Sequence, residues 1–136
     1  MGIPEIDIYV RFCETDAAGH VNNISYFIYI EEARTKFIQA IGFGREEREN
    51  LGFIIASAQC DFVAQAYAYQ TLKVATHVSK IGKKSFTLRH IIKAADTGAM
   101  VATGGAVIAC FNFQNQQSVT IPLQLRSALE QYLVPV

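Results

Sequence analysis

No run in this chain of 136 residues is long and apolar enough to span a bilayer, although half of its residues are apolar. The start, MGIPEIDIYV, lacks the basic region and extended apolar core of a signal peptide, and no Ser or Thr stands at the position that myristoylation requires. A soluble, cytoplasmic protein with no membrane partner is expected. The motifs of common hydrolases are also missing. There is no G-x-S-x-G elbow and no H-E-x-x-H, and His20, His77 and His90 lack zinc-site spacing. The fragment Gly82-Lys83-Lys84-Ser85 lacks the glycine and residue order of a P-loop, and Gly42-Phe43-Gly44 lacks the rest of a dinucleotide fingerprint. No metal and no redox cofactor is expected. The three cysteines, Cys13, Cys60 and Cys110, are scattered through apolar or strand-like stretches, a reduced and structural pattern. Cys13 lies close enough to Asp16 to suggest a nucleophile, yet no His is placed to activate it. A small buried side chain is the expectation there.

What is present is patterned by period. Ile6 to Phe12 is strand-like, and Glu14 to Asn23 reads as a loop and helix start with Asn22 or Asn23 as N-cap. From Ile24 to Ala40, the residues Tyr26, Ile30, Ala33, Phe37, Ala40 and then Ile41 form one helical stripe that should face a sheet. Ile24, Phe27, Ile28 and Ile38 form a second apolar surface, so this helix needs cover on more than one side. Glu31 projects near that surface, where a pair with Arg34 or a bond to Thr35 would satisfy it. Gly42 and Gly44 end the helix. Four strand-like stretches follow, Phe53–Ala66, Leu72–Ile81, Ser85–Ala95 and Ala99–Phe113, with short turns at Lys83-Lys84 and Asp96-Thr97-Gly98. Gly104-Gly105 would permit a bulge or a close backbone contact. Pro122 to Leu133 reads as a short closing helix. With no linker or repeat, residues 1–136 are expected to form a single domain.

Net charge is zero but unevenly spread. No acidic residue lies between Asp61 and Asp96, whereas Lys73, Lys80, Lys83, Lys84, Arg89 and Lys93 do. A solvated strand face accounts for part of this. The cluster around Gly82 reads as a turn whose ammonium groups can grip phosphates without entering the core.

The richest stretch runs from Arg11 to Arg34, RFCETDAAGHVNNISYFIYIEEAR. It places Asp16 just upstream of a helix N-terminus, where free backbone N–H groups and the positive dipole end can polarise a carbonyl. A carboxylate beside such a cradle is the minimum equipment for hydrolysing an activated acyl group. A plain turn role for Asp16 is the alternative. The string D-A-A-G-H-V-N-N, Asp16 to Asn23, followed by a Tyr-rich helix and Glu31-Glu32-Ala33-Arg34, resembles the hotdog-fold acyl-CoA thioesterases of the 4-hydroxybenzoyl-CoA thioesterase group. The resemblance implies that Asp16 is the catalytic aspartate and that the Asn23 backbone amide polarises the thioester carbonyl. Asn stands at position 23 where the aromatic-substrate enzyme has Tyr, and the H-V-N-N form is more similar to the branch acting on fatty acyl-CoA. The resemblance further implies a basic turn at Lys83 to Phe86 that contacts coenzyme A, with Lys84 the nearest match. Coenzyme A, with its three phosphates, would suit that turn.

The expected fold is α+β, a hotdog of five mostly antiparallel strands wrapped around a long central helix. The expected activity is acyl-CoA thioester hydrolysis, with Asp16 as general base or nucleophile and the Asn23 amide as oxyanion donor. His20, Asn22, Lys83, Lys84 and Ser85 are candidate substrate contacts. For His20, Tyr26 and Tyr29 a packing or loop role weighs more. Coenzyme A is part of the substrate, so no cofactor is expected, and neither is a nucleic-acid partner. A non-catalytic acyl-CoA-binding module, or a hydratase using a paired His and carboxylate, would be the alternatives. The excess apolar helix surface and the sheet edges predict a homodimer, or a homotetramer built as a dimer of dimers. The resemblance implies that Asp16 and the basic turn of one site come from different chains.

Overall fold

The computed structural model describes residues 4–134, so the extreme ends of the expected 1–136 unit lie outside the described residues. In chain order it forms β1 (Glu5–Tyr9), a 3-10 turn (Phe12–Glu14), α1 (Asn23–Ala40), β2 (Leu51–Phe62), β3 (Thr71–Ile81), β4 (Ser85–Ala94), β5 (Met100–Asn112), β6 (Gln117–Ser118) and α2 (Leu123–Glu130). The long strands pair antiparallel in the order β1-β3-β4-β5-β2, and the short β6 joins β5 as a sixth strand beyond the expected five. α1 contacts all five long strands. This is the hotdog arrangement.

Side-chain alternation explains how the sheet holds the helix. On β3, Leu72, Val74, Thr76 and Val78 point inward, and on β4 Phe86, Leu88, His90 and Ile92 do the same. Tyr26, Ile30, Ala33 and Phe37 of the helical stripe meet them, each fully buried apolar side chain contributing about 1.5–3 kcal/mol. Ala40, at the end of the stripe, is exposed. Register shifts at Ile55/Ser57, Val78/Lys80 and Ile92/Lys93 bend the strands around the helix. Gly104 lets the two layers approach: a Cβ there would sit 2.6 Å from Ile30 Cδ1 and 2.8 Å from the Gln59 carbonyl. The expected close contact, rather than a bulge, is therefore the role of this glycine.

Three expectations are corrected. β1 stops at Tyr9 rather than Phe12, because the chain turns into the Phe12–Glu14 segment. Of the second apolar surface only Ile38 is buried; Ile24, Phe27 and Ile28 remain 65%, 38% and 49% exposed. The expected Glu31–Arg34 pair forms at 3.8 Å, but Glu31 is 69% exposed rather than buried, and Arg34, at 12%, is the sequestered member.

Two apolar clusters fill the interior, one around Ile30, Leu72 and Ile92 and the other around Phe37, Leu88 and Leu125. Thr76 and His90 sit where strand positions pass from one to the other, with Thr76 Oγ1 and His90 Nδ1 2.9 Å apart. Among the described residues His90 Nε2 has no partner. Burial, reinforced by Arg34, His77 and Arg89, pushes this imidazole down to about 3 from an ordinary 6.5. The unfolded chain therefore takes up a proton that the folded chain refuses. Stability due to neutral His90 is complete above pH 6.5 and is lost as pH falls toward about 3. The double variant His90→Leu/Thr76→Val removes both partners of the bond. Compared by denaturant unfolding at pH 7 and about pH 4.5, it should lose about 2–3 kcal/mol less than the wild type, at about 1.4 kcal/mol per pH unit. Equal losses would show that His90 takes up its proton at the same pH in the folded and unfolded chains.

Candidate active site

Asp16 is held by its own loop. Its N–H donates to the His20 carbonyl at 2.8 Å, and its carbonyl accepts from the Gly19 N–H at 3.0 Å. Its Oδ1 accepts from the Ala18 and His20 N–H groups at 2.9 and 3.2 Å. Gly19 takes φ of +81°, a left-handed turn that suits glycine. The Thr15↔Val21 bridge closes the base of the loop. Among the described residues no hydrogen bond falls on Oδ2, so the turn occupies one carboxylate oxygen. The turn role and a chemical role are thus compatible in one side chain.

Asn22 is the N-cap: its side-chain oxygen accepts from the Ile24 N–H at 3.0 Å. Asn23 is the first residue of α1, so its own N–H has no acceptor within the helix and lies at the positive end of the dipole. Asp16 and Asn23 line one cavity of about 420 Å³, together with Val21, Tyr26, Phe62, Val63, Ala64 and Gln65. Tyr26 and Phe62 form part of its wall, their rings 5.3 Å apart. Asp16, together with the first residue of the helix and several apolar side chains, therefore lines one space.

Next to the Asp16 loop lies a network that the sequence did not reveal. Glu14, although buried, is a charged anchor. Its carboxylate accepts from the Arg11 N–H and guanidinium and from the Tyr29 hydroxyl, all between 2.6 and 2.9 Å. Burial opposes its ionisation, but these bonds outweigh it and hold the carboxyl below its usual range. Burial and the neighbouring carboxylate raise the Tyr29 hydroxyl. The Glu14 carbonyl also accepts from the Ser25 hydroxyl at 2.8 Å and the Asn22 N–H at 3.0 Å. The available signal was Tyr29 on the buried stripe side of the helix, because an interior phenol needs a polar partner.

The other candidates fall elsewhere. The His20 ring packs edge-on against Tyr67, with centroids 5.1 Å apart, and only its backbone supports Asp16. Cys13 is exposed rather than buried, since it sits on the outer side of the 3-10 turn. Lys83 and Lys84 are exposed on the β3–β4 turn, which Gly82 and Ser85 close with a 2.7 Å hydrogen bond. Within one chain that turn is remote from Asp16. Phe62, at the cavity, pairs with Ala102, which pairs with Ile92 on β4. Ser85 is seven residues back along that strand, roughly 23 Å at about 3.3 Å per residue. A further cavity of about 440 Å³ lies between α1 and β2, lined by residues including Arg34, Arg45, Arg48, Phe53 and Ile55.

The model of the Thioesterase-like superfamily matches residues 10–129. The chain belongs to this superfamily. It is 31% identical over 113 residues to YsmA, an uncharacterized protein of Bacillus subtilis strain 168, covering 83% of this chain and 76% of that one. It is 25% identical over 128 residues to FadM of Escherichia coli K12, named a long-chain acyl-CoA thioesterase, covering 93% and 97% of the two chains. Among solved structures, BH1999 gentisyl-coenzyme A thioesterase superposes with a TM-score of 0.83 at 29% identity, over 93% of this chain and 99% of that one. The superfamily thus joins the hotdog fold to thioester hydrolysis, and the Asp16 loop and α1 lie within the matched span.

The cap at the cavity's edge has a measurable consequence. Asn22→Ala should cost about 1 kcal/mol in thermal or denaturant unfolding, and Asn22→Asp should retain most of that stability. An unchanged melting temperature in Asn22→Ala would remove the cap.

Proposed function

We propose that the protein hydrolyses acyl-coenzyme A thioesters, releasing a carboxylic acid and free coenzyme A. The observation that supports this reading is that Asp16 and Asn23 line one cavity at the start of α1. In the simplest step Asp16 takes a proton from water as the hydroxyl oxygen adds to the carbonyl carbon. The Asn23 N–H stabilises the oxyanion, and collapse breaks the C–S bond, the thiolate recovering a proton. In the covalent version the carboxylate attacks first, the thiolate leaves, and water then hydrolyses the mixed anhydride. Neither version needs a metal or redox cofactor. The apolar wall of Val21, Tyr26, Phe62 and Val63 receives the acyl group, and Asn22 stands between two residues of the lining, Val21 and Asn23. The free cysteines and the coenzyme A substrate suit the cytoplasm.

The reading includes a homodimer with shared sites, assembled further as a dimer of dimers. β2 is a sheet edge of 12 residues whose only charge is Asp61, a strand that needs pairing. Ile24, Phe27 and Ile28 expose apolar surface beside the cavity. A partner joined through β2 would bring its Lys83, Lys84 and Ser85 turn toward coenzyme A phosphates that the turn of the same chain is too far away to reach.

Thiol release from a panel of straight-chain acyl-CoAs, from acetyl to palmitoyl, and benzoyl-CoA tests the activity. Binding without thiol release would favour a non-catalytic module and overturn it. Asp16→Asn should lower kcat roughly 10²-fold or more while the protein remains folded, because the shape survives and the base does not. A folded variant with near-normal kcat would place the chemistry elsewhere.

Lys84→Ala should raise KM for coenzyme A esters more than it lowers kcat, since distant phosphate contacts bind substrate and transition state alike. Short thioesters without the nucleotide should be insensitive. Mixed dimers of Asp16→Asn chains with Lys83→Ala/Lys84→Ala chains should regain part of the activity, and verified mixed dimers that regain none would remove the shared site.

A further inference from the structure

We infer that Glu14 and Tyr29 are positioning residues that set where Asp16 stands relative to the first amide of α1. The inference rests on the reading of Asp16 and Asn23 as the reacting pair. Neither Glu14 nor Tyr29 lines the cavity that holds this pair, so neither is assigned a contact with substrate.

The geometry is a three-point fastening. Glu14 stands two residues before Asp16. Its carbonyl accepts from the N–H of Asn22, the residue just before Asn23, and from the Ser25 hydroxyl one turn into the helix. Its carboxylate accepts from the Tyr29 hydroxyl a further turn along, at 2.9 Å. The loop that carries the carboxylate is thus bonded at residue 14 to residues 22, 25 and 29 of the element that carries the amide. Arg11 grips the other carboxylate oxygen through Nε and Nη2 at 2.9 and 2.6 Å and fixes the side chain's direction.

Elementary physics says why such a fastening is needed. The Asp16 loop is exposed from Arg11 to Cys13 and again from Asp16 to Ala18, so packing alone gives it little purchase. An exposed loop samples several placements, and a displacement near 1 Å at a reacting group costs about 10²-fold in rate. Charge-assisted bonds to a buried carboxylate are directional and stronger than neutral ones. They convert the rigidity of α1, packed along its buried face by the sheet, into a fixed direction for the Asp16 turn. A carboxylate serves better than an apolar plug because it specifies distance and angle as well as proximity.

Tyr29→Phe separates positioning from packing, because it deletes one hydroxyl and keeps the ring. With the most rapidly cleaved acyl-CoA of the panel, it should lower kcat about tenfold and change KM less than twofold. Tyr132→Phe, at the far end of α1 against Phe37, serves as the control and should leave both constants unchanged. In amide NMR spectra, the Asp16, Ala18 and Asn23 resonances should shift or broaden in Tyr29→Phe, while those of Lys93 on β4 stay fixed. Glu14→Gln, which keeps an acceptor for Tyr29, should recover part of the kcat that Glu14→Ala loses. A folded Tyr29→Phe protein with wild-type kcat, or one whose entire loss is in KM, would overturn the positioning role. Wild-type protein inert toward the whole panel would instead overturn the proposed function. The amide spectra then decide the positioning alone, moved Asp16 and Asn23 resonances supporting it and unmoved ones refuting it.

Discussion

The packing of α1 into the curved sheet is the constraint from which the rest of the structure follows. Gly104 removes the Cβ that would collide with Ile30, so the helix lies close against β5. Tyr26, Ile30, Ala33 and Phe37 then bury against alternating side chains of the strands. Once that face is committed, the direction of the helix axis and the position of its N-terminus are set. The first amide is fixed in space by contacts made many residues away. A helix terminus that moved freely would carry the same partial charge but could not aim it at one carbonyl.

Polar groups inside this packing divide by how well they are satisfied. Glu14 is buried yet charged, because Arg11 and Tyr29 supply enough donors to outweigh its lost hydration. His90 is buried and neutral, because burial disfavours its charged form and Arg34, His77 and Arg89 add to that, while Thr76 bonds one ring nitrogen. The first arrangement ties a loop to a helix. The second makes the interior sensitive to acid. Both follow from the same desolvation cost, resolved in opposite directions by the charges nearby.

The described chain also leaves apolar surface open. A long, almost uncharged edge on β2 and three exposed apolar residues on α1 lie on surfaces that one sheet cannot cover. The basic turn stands at the opposite end of the strands from Asp16. These features concern the same property, namely that a sheet wrapped around one helix leaves one flank of that helix open. The proposed shared-site dimer gives both the flank and the edge a partner.

Periodicity made most of this fold legible. The four strands β2 to β5 and α1 appear within a few residues of where alternation and the helical stripe place them, because each pattern directly reports which face is buried. The loop preceding α1 was legible as a motif, since Asp16 and Asn22 use side-chain chemistry that acts over two to four residues. Other properties are products of distant contacts. Arg11, three residues back, was a visible partner for Glu14, but the burial of this carboxylate and its bond to Tyr29, 15 residues on, come from the fold. Cys13 and Glu31 looked suited to the interior, yet the direction of a 3-10 turn and the rotation of α1 turned both outward. Phe62 to Gln65 join the cavity wall only because β2 returns beside the Asp16 loop. The sequence by itself determined the elements and the chemistry available at the helix start, because those depend on neighbours along the chain. Tertiary structure alone decided which groups are buried, which are charged and which face one cavity, because dehydration and electrostatic fields depend on everything that packs nearby.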